Sequence, residues 1–424
     1  MGSKLYPLRP LNSMVDIYDY MRIPVKKSDR KPGPYPYYGA SGIVDYVDSY
    51  IFDGEYLLLA EDGENLRSLN TPIAFMASGK FWVNNHAHIL KRSSDNSTKY
   101  LHYALQYADI QSYLSGSTRP KLTQSDMKRI LVHYPHPYEQ RAIAHILGSL
   151  DDKIELNRQM NRTLEAMAQA IFKSWFVDFL PVRAKQSART QTGDPVHAKA
   201  EGRDTGLPAE IAKLFPDSFE ESELGLIPKG WNSSFLGQEF QITMGQSPPG
   251  NTYNEIGEGL SFFQGRRDFG FRFPSKRVYC TAPKRIAKYG DTLVSVRAPV
   301  GDINMALNEC CIGRGVAGIR HNSESRSYTY YTMKTLSDTF AQFEADGTVF
   351  GAINKNQFAD IPWLSISKDI VDMFESFVFP YDEYIYNNST ELTGLINIRD
   401  ILLPKLISGE LRVPDVEDFI GTVV

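Results

Sequence analysis

The residues with the chemistry of a catalyst stand at spacings that do not let them act as one. Asn84-Asn85-His86-Ala87-His88 sets two imidazoles two positions apart, so an extended strand would point both to one face and could begin a metal site. The sequence offers no third ligand beside them, and a hydrogen-bonded structural pair is the simpler reading. Pro216-Asp217, with Glu220, Glu221 and Glu223, has the carboxylates of a nuclease but no lysine at a matching spacing. Gly79-Lys80 lacks the upstream glycine and the following hydroxyl of a phosphate loop. Ser247-Pro248-Pro249-Gly250 lacks the acid or amide and the aromatic residue of an amino-methyltransferase motif, and reads as a turn. Cys280, Cys310 and Cys311 form neither a C-x-x-C nor an even framework, which suggests buried thiols in a reducing compartment. No catalytic residue and no metal site are expected.

The basic residues form a clearer pattern. Phe262-Phe263-Gln264-Gly265-Arg266-Arg267-Asp268-Phe269-Gly270-Phe271-Arg272 mixes cations, aromatic rings and glycines, and Lys276, Arg277, Lys284, Arg285, Lys288 and Arg297 follow. An earlier stretch holds Arg22, Lys26, Lys27, Arg30 and Lys31, then Tyr35, Tyr37 and Tyr38, with Arg119 and Lys121 after a turn at Gly116. Lysine and arginine neutralise phosphates, and arginine can pair with a guanine edge in two places at once. The chain as a whole is slightly acidic, at −4, which argues against a protein that coats nucleic acid generally. The charge is unevenly spread. Residues 1–136 carry 16 basic and 13 acidic side chains, residues 225–367 carry 15 and 12, and residues 368–424 carry 4 and 11. Two positive regions with acidic flanks suggest two surfaces aimed at a polyanion.

Those two regions belong to a repeat. At a constant offset of 231, Leu122 answers to Ile353, Met127 to Phe358, Ile130 to Ile361, Asp151 to Asp382, Ile154 to Ile385 and Leu164 to Leu395. The turn Gly116-Ser117 answers to Gly347-Thr348. Matching positions are mostly apolar while the polar ones differ, so two related scaffolds should carry different surfaces. Residues 8–134 alternate in short runs such as Gly54–Ala60, Ile73–Met76, Phe81–Val83 and Ala87–Leu90, which read as strands, with helical spacing over Tyr100–Leu114. From Ile143 the steps become three or four residues: Leu147, Leu150, Ile154, Asn157, Asn161, Leu164, Ala168, Ile171, Trp175. This is a heptad seam, and as one helix over 138–179 it would run about 60 Å. Its repeat copy runs from Phe374 through Ile385 and Asn388 to Leu406. Two seams of one period should pair, with Asn157 and Asn388 fixing the register. Pro380 and Pro404 should end or kink the second helix. Residues 181–224 read as a polar linker containing Gly193, Pro195, Gly202 and Gly206, with a helical patch around Ala209–Phe215. No apolar run is long enough to span a bilayer, no signal peptide is apparent at the start, and a cytoplasmic protein is expected.

Several phrases together carry a family resemblance over nearly the whole chain. They are Pro36-Tyr37-Tyr38-Gly39-Ala40-Ser41-Gly42, Glu61-Asp62-Gly63, Asn85-His86-Ala87-His88, Gly116-Ser117-Thr118-Arg119-Pro120-Lys121-Leu122 and Glu139-Gln140-Arg141-Ala142-Ile143. Further on come Phe172-Lys173-Ser174-Trp175-Phe176-Val177-Asp178-Phe179, Leu226-Ile227-Pro228-Lys229-Gly230-Trp231, and Leu403-Pro404-Lys405-Leu406-Ile407-Ser408-Gly409-Glu410-Leu411. The chain resembles the specificity subunit of type I restriction–modification systems. Residues 370–374 lack the Glu-Gln pair found at Glu139-Gln140, so the second helix should start less regularly.

The resemblance implies an α+β chain with two tandem α/β target recognition domains separated by two long antiparallel coiled-coil helices, a pseudo-two-fold duplication. The domains would be residues 1–136 and 225–367, and the helices 137–180 and 368–412, with the linker at 181–224 and a tail at 413–424. It implies a subunit without catalytic activity that binds double-stranded DNA at a bipartite, asymmetric site. It also implies docking of two modification (methyltransferase) subunits and of restriction (translocase and nuclease) subunits, with no membrane partner. S-adenosylmethionine, ATP and Mg would belong to those partners and no cofactor to this chain. The candidate DNA contacts are Arg22, Lys26, Lys27, Arg30, Tyr37, Tyr38, Arg119 and Lys121 in the first domain. In the second they are Arg266, Arg267, Arg272, Lys276, Arg277 and Arg297. Phe172, Phe176 and Phe179, off the helical seam, are the expected partner interface. A stand-alone DNA methyltransferase or endonuclease would need a motif that the sequence lacks. A coiled-coil scaffold with no DNA role would leave both basic domains unexplained. If helix length sets the spacer between half-sites, four residues inserted after Ala166 add about 6 Å at 1.5 Å per residue, close to two base pairs at ~3.4 Å each. The methylated motif of such a variant should keep its half-sites and gain spacer; an unchanged spacer would remove the ruler.

Overall fold

The computed structural model describes residues 5–69, 72–116, 118–192, 207–345 and 351–416. The chain divides into two compact units, Met1–Arg158 with Thr390–Val424, and Gln159–Ser389. Each unit is one sheet-rich domain together with the stretches of both long helices that pack on it.

In the first unit, Tyr56-Leu57-Leu58-Leu59-Ala60 is apolar on both faces and therefore sits centrally, fully covered. Its four-stranded antiparallel sheet runs in the order Val15–Ile17, Ala87–Arg92, Tyr56–Ala60, Ala74–Ala77. A second sheet runs Gly42–Val47, Tyr35–Gly39, Lys80–Val83, Phe52–Asp53, and its inner pair is parallel. The helix Thr98–Tyr107 starts on Ser97, whose side chain accepts the Tyr100 amide. Gln140 of the first long helix accepts the Ser97 amide at 3.0 Å, which ties domain to helix.

The second unit repeats the antiparallel sheet strand for strand, and its other sheet gains a fifth strand, Tyr253–Asn254. Phe240–Met244, Val316–His321, Thr292–Val296 and Val300–Met305 form the antiparallel sheet. In the other sheet Leu260–Phe263 and Cys310–Ile312 are again the parallel pair. The helix Arg326–Thr335 takes the place of Thr98–Tyr107. Here Glu375 of the second long helix accepts the amides of Arg326, Ser327 and Tyr328 at 2.9–3.3 Å, an anion on a helix N-terminus.

The long helices are Pro137–Phe176 and Lys368–Ser408, and within each unit they pair antiparallel. In the first unit Asp151 meets Arg399 at 3.0 Å and Asn157 donates to Glu391 at 2.9 Å. In the second unit Asn388 donates to Asn161 at 3.0 Å, and the Phe172 and Phe374 rings lie 5.5 Å apart. Asn157 and Asn388 thus sit in the seam, but each bonds a neighbour on the facing helix rather than the other.

Four expectations are corrected. The first long helix ends at Phe176 instead of continuing to 179, because Phe179 takes a left-handed backbone at φ 51° and starts a new helix, Leu180–Thr192. The second long helix runs through Pro380 and Pro404 without a break. Pro380 is exposed, and the carbonyl it leaves without a donor belongs to exposed Ser376, where water can serve it. The 181–224 segment is not a plain polar linker. Val182, Ile211 and Phe215 are buried in the second core, and Phe219–Ser222 pairs with Gly225–Pro228. Gly193, Pro195, Gly202 and Gly206 lie outside the described residues, as do Gly347-Thr348 and 417–424 of the tail. Finally, Phe172, Phe176 and Phe179 are core residues and offer no surface to a partner. Phe176 packs against Phe172, Tyr328 and Phe374 at 4.9–5.2 Å between centroids, and Phe179 packs edge-on to Trp231. The domain of the same unit covers these off-seam rings.

Phe176→Ala should therefore cost about 3–5 kcal/mol, the usual range for a buried aromatic truncation. Hydrogen exchange should speed up over 159–389 with the first unit still protected. Unchanged protection of both units would show that this ring does not hold the core.

Candidate nucleic-acid interface

In the first unit the central strand runs into Glu61-Asp62, and the loop carrying Arg119 and Lys121 is stitched beside it. The Leu122 amide donates to the Glu61 carbonyl at 2.7 Å and the Gly63 amide to the Pro120 carbonyl at 3.1 Å. Gly116 turns the loop at φ 83°, and a Cβ there would meet the Arg119 carbonyl at 2.4 Å, so only glycine fits. Two carboxylates then orient the cations. Asp62 accepts from Arg119 at 2.7 Å and from His86 at 2.8 Å, while Glu61 lies 3.3 Å from Lys121. Arg119 and Lys121 remain 65% and 52% exposed at the side chain. Ser41, Asn65, Asn84, His86 and Arg119 line an open cleft of about 530 Å³. It offers hydrogen-bond donors and acceptors of the kind that read base edges.

Behind this loop lies a buried support. His88 Nδ1 is 2.6 Å from Asp19, and its Nε2 is 2.9 Å from the Leu122 carbonyl. Asp19 also accepts the Ile89 amide and Gln124. Burial raises the Asp19 carboxyl pKa, but His88, the Ile89 amide and Gln124 outweigh it and hold it below the usual carboxylate range. Asp19, Glu61 and His88 come close enough to suggest three metal ligands. Arg22 already brings a cation there, 2.5 Å from Glu61 and 3.6 Å from Asp19. The cluster is an ion-paired brace for the 119–122 loop. His86 and His88 serve different ends, since His86 is half-exposed on Asp62 while His88 is buried on Asp19.

The second unit has the same stitch with different chemistry. The Ile353 amide donates to Val296 and the Ala298 amide to Gly351. Where the first unit bridges Asp62 to Lys121, the second bridges Arg297 to Ala352. Where His88 faces Leu59, the second sheet sets Ala317 against Val294, and the brace is replaced by apolar packing. Its cations come from the loop after Leu260–Phe263. Arg266 pairs with Asp302 at 2.5 Å, and Arg266, Arg267, Asp302, Lys334 and Gln169 line a cleft of about 670 Å³. Arg277 pairs with Asp268 at 2.9 Å.

The candidate contacts therefore divide. Lys26, Lys27, Arg267, Lys276 and Arg297 are exposed, with no carboxylate within 4 Å among the described residues. Arg119, Lys121, Arg266 and Arg277 are exposed and held by an acid that a phosphate could displace. The others are structural. Tyr37 is 1% exposed and its hydroxyl accepts the Val25 amide, while Tyr38 is half-buried against Phe75 and Phe81. Arg30 spans Asp45 and the Tyr37 ring, and Arg22 is committed to the brace. Arg272 is 1% exposed and turns away from solvent into an ion-paired core. Sequence reasoning missed Glu61 and Asp62 as the orienting acids, although both belong to the phrase Glu61-Asp62-Gly63 that helps carry the family resemblance. Burial pushes the Cys310 thiol up to about 12 and Cys311 to about 11, so neither is a ready nucleophile.

Comparison with known proteins agrees with this duplicated architecture. Residues 6–166 match the type I restriction modification DNA specificity domain. The chain is 30% identical over 331 residues to the type I restriction enzyme HindI specificity subunit of Haemophilus influenzae, covering 70% of this chain and 72% of that one. It is 28% identical over 344 residues to the putative MjaX specificity subunit of Methanocaldococcus jannaschii, covering 77% and 71%. In fold it is similar to the crystal structure of a type I restriction-modification S subunit from M. genitalium, with a TM-score of 0.63 at 17% identity, over 96% of this chain and 99% of that one. The chain belongs to the family of type I restriction–modification specificity subunits, which are non-catalytic. No described helix is long and apolar enough to cross a membrane.

Lys121→Ala should weaken binding to DNA of every sequence and lower the salt dependence by about one unit of slope. Affinity measured across a salt series for two unrelated duplexes checks this; a loss confined to one sequence would make Lys121 a base reader instead.

Proposed function

We propose that this chain is the DNA-reading subunit of a type I complex and binds an asymmetric site in two parts, one read by each unit. The observation that carries this is the shared stitch with exchanged chemistry: Asp62 against Lys121 in the first unit, Arg297 against Ala352 in the second. Identical readers would suit a palindrome, whereas two scaffolds of one topology with different cations suit two different half-sites. The chain docks two modification subunits and, through the assembled complex, restriction subunits. Phe172, Phe176 and Phe179 are spent in the core, so the exposed apolar residues of the long helices, Leu156, Phe377 and Tyr384, are the docking candidates. S-adenosylmethionine, ATP and Mg are held by those partners, and the complex works in the cytoplasm.

The test is the methylated motif of DNA from cells that express this chain with its modification subunit. Two short specified parts, unlike each other and separated by unspecified bases, are expected. One continuous or palindromic motif would contradict the proposal.

A further inference from the structure

The second unit buries an arginine where a surface reader was expected. The Arg272 guanidinium lies 2.7 Å from Asp382 of the second long helix and 3.3 Å from Glu165 of the first. It also donates to the Tyr331 hydroxyl at 2.8 Å and lies 3.9 Å over the Tyr330 ring. Burial opposes its charge, but Tyr330, Asp382, Tyr331 and Glu165 outweigh that and raise its pKa. Glu165 is shared with Lys334 at 2.8 Å. Arg272 itself sits in the loop that carries Arg266, Arg267, Lys276 and Arg277, and its carbonyl accepts the Met305 amide of the antiparallel sheet at 2.8 Å.

The first unit solves the equivalent position differently. Asp151, the repeat partner of Asp382, accepts from Tyr103 at 2.7 Å as Asp382 does from Tyr331 at 3.2 Å. Its cation, however, is Arg399, which comes from the helix opposite and not from the domain. By the same repeat Glu165 answers to Ile396 and Ala168 to Arg399. One helical port therefore supplies its own arginine, and the other presents two carboxylates that wait for one.

We infer that Arg272 is the positioning residue of the second domain, keying its basic loop to Glu165 and Asp382. Without it these largely buried carboxylates would keep, among the described residues, only Lys334, on Glu165, as a cation, a costly arrangement. Arginine suits this position because its planar fork reaches two carboxylates at once, which a lysine point charge does not.

This rests on the reading of the chain as a two-part DNA reader. The experiment uses the complete chain with its modification subunits and two variants. One is Arg272→Lys. The other combines Arg272→Met with Glu165→Gln and Asp382→Asn, which removes every buried charge of the key and lets the core remain folded. Both should melt near the unaltered chain. The combined variant should lose tenfold or more of its base discrimination in one half of the methylated motif, the half that Arg267→Ala also loosens. Arg272→Lys should lose less in that half, and the other half should stay intact in both. A folded combined variant that reads both halves as before would reduce Arg272 to core filling; should that variant not fold, full stringency in Arg272→Lys would overturn the inference equally. So would equal loosening of both halves. An unaltered complex with no two-part motif would overturn the two-part reading and this inference with it, which separates that failure from one confined to Arg272.

Discussion

A forty-residue helix with one apolar stripe has no stable state by itself, and the rest of this fold depends on how two such stripes are covered. Pro137–Phe176 and Lys368–Ser408 cover part of each other, antiparallel within each unit. What remains is covered by the domains. Trp175, Phe172 and Phe374 enter the second core, and Ile143, Leu147, Leu402 and Leu406 enter the first. A tyrosine from each domain then bonds an aspartate of the long helix it packs on, Tyr103 to Asp151 and Tyr331 to Asp382. Domain and helix are thus one core, and the loops at the sheet ends inherit a rigid base. Preorganised supports of this kind are what a reader of base edges requires.

Within that shared frame the two units differ where the frame does not constrain them. The first spends charged and polar side chains on a buried brace of Asp19, His88, Glu61 and Arg22, and sets Arg119 and Lys121 on top of it. The second fills the same region with Val296 and Ala317 and takes its cations from the loop after Leu260–Phe263. Neither choice disturbs the strand order of the antiparallel sheet. Surface chemistry can change between units while the hydrogen-bonded stitch at Leu122 and Ile353 stays fixed.

The repeat, the heptad seams and the strand runs were legible because apolar periodicity is written in consecutive residues. The strand Tyr56–Ala60 and the seam positions Asn157 and Ile154 fell where spacing put them. Failures came where tertiary contact overrides local pattern. Pro380 looks like a helix breaker, yet it lies on an exposed face that water can serve. Phe172, Phe176 and Phe179 fall off the seam, but the domain supplies the missing cover. Arg272 stands among surface cations in sequence, and only the approach of Glu165 and Asp382, more than a hundred residues away on either side, shows that it is buried. Exposure of a cation is a long-range property, so no local motif reports it.

The central claim is that each unit reads its own part of a DNA site through its own cations. The most direct measurement is the methylated motif in DNA from cells carrying Arg119→Ala in one strain and Arg267→Ala in another. The account predicts that each variant loosens one half of the motif, and that the two variants loosen opposite halves. Loosening of the same half by both, or of both halves by either, would contradict it.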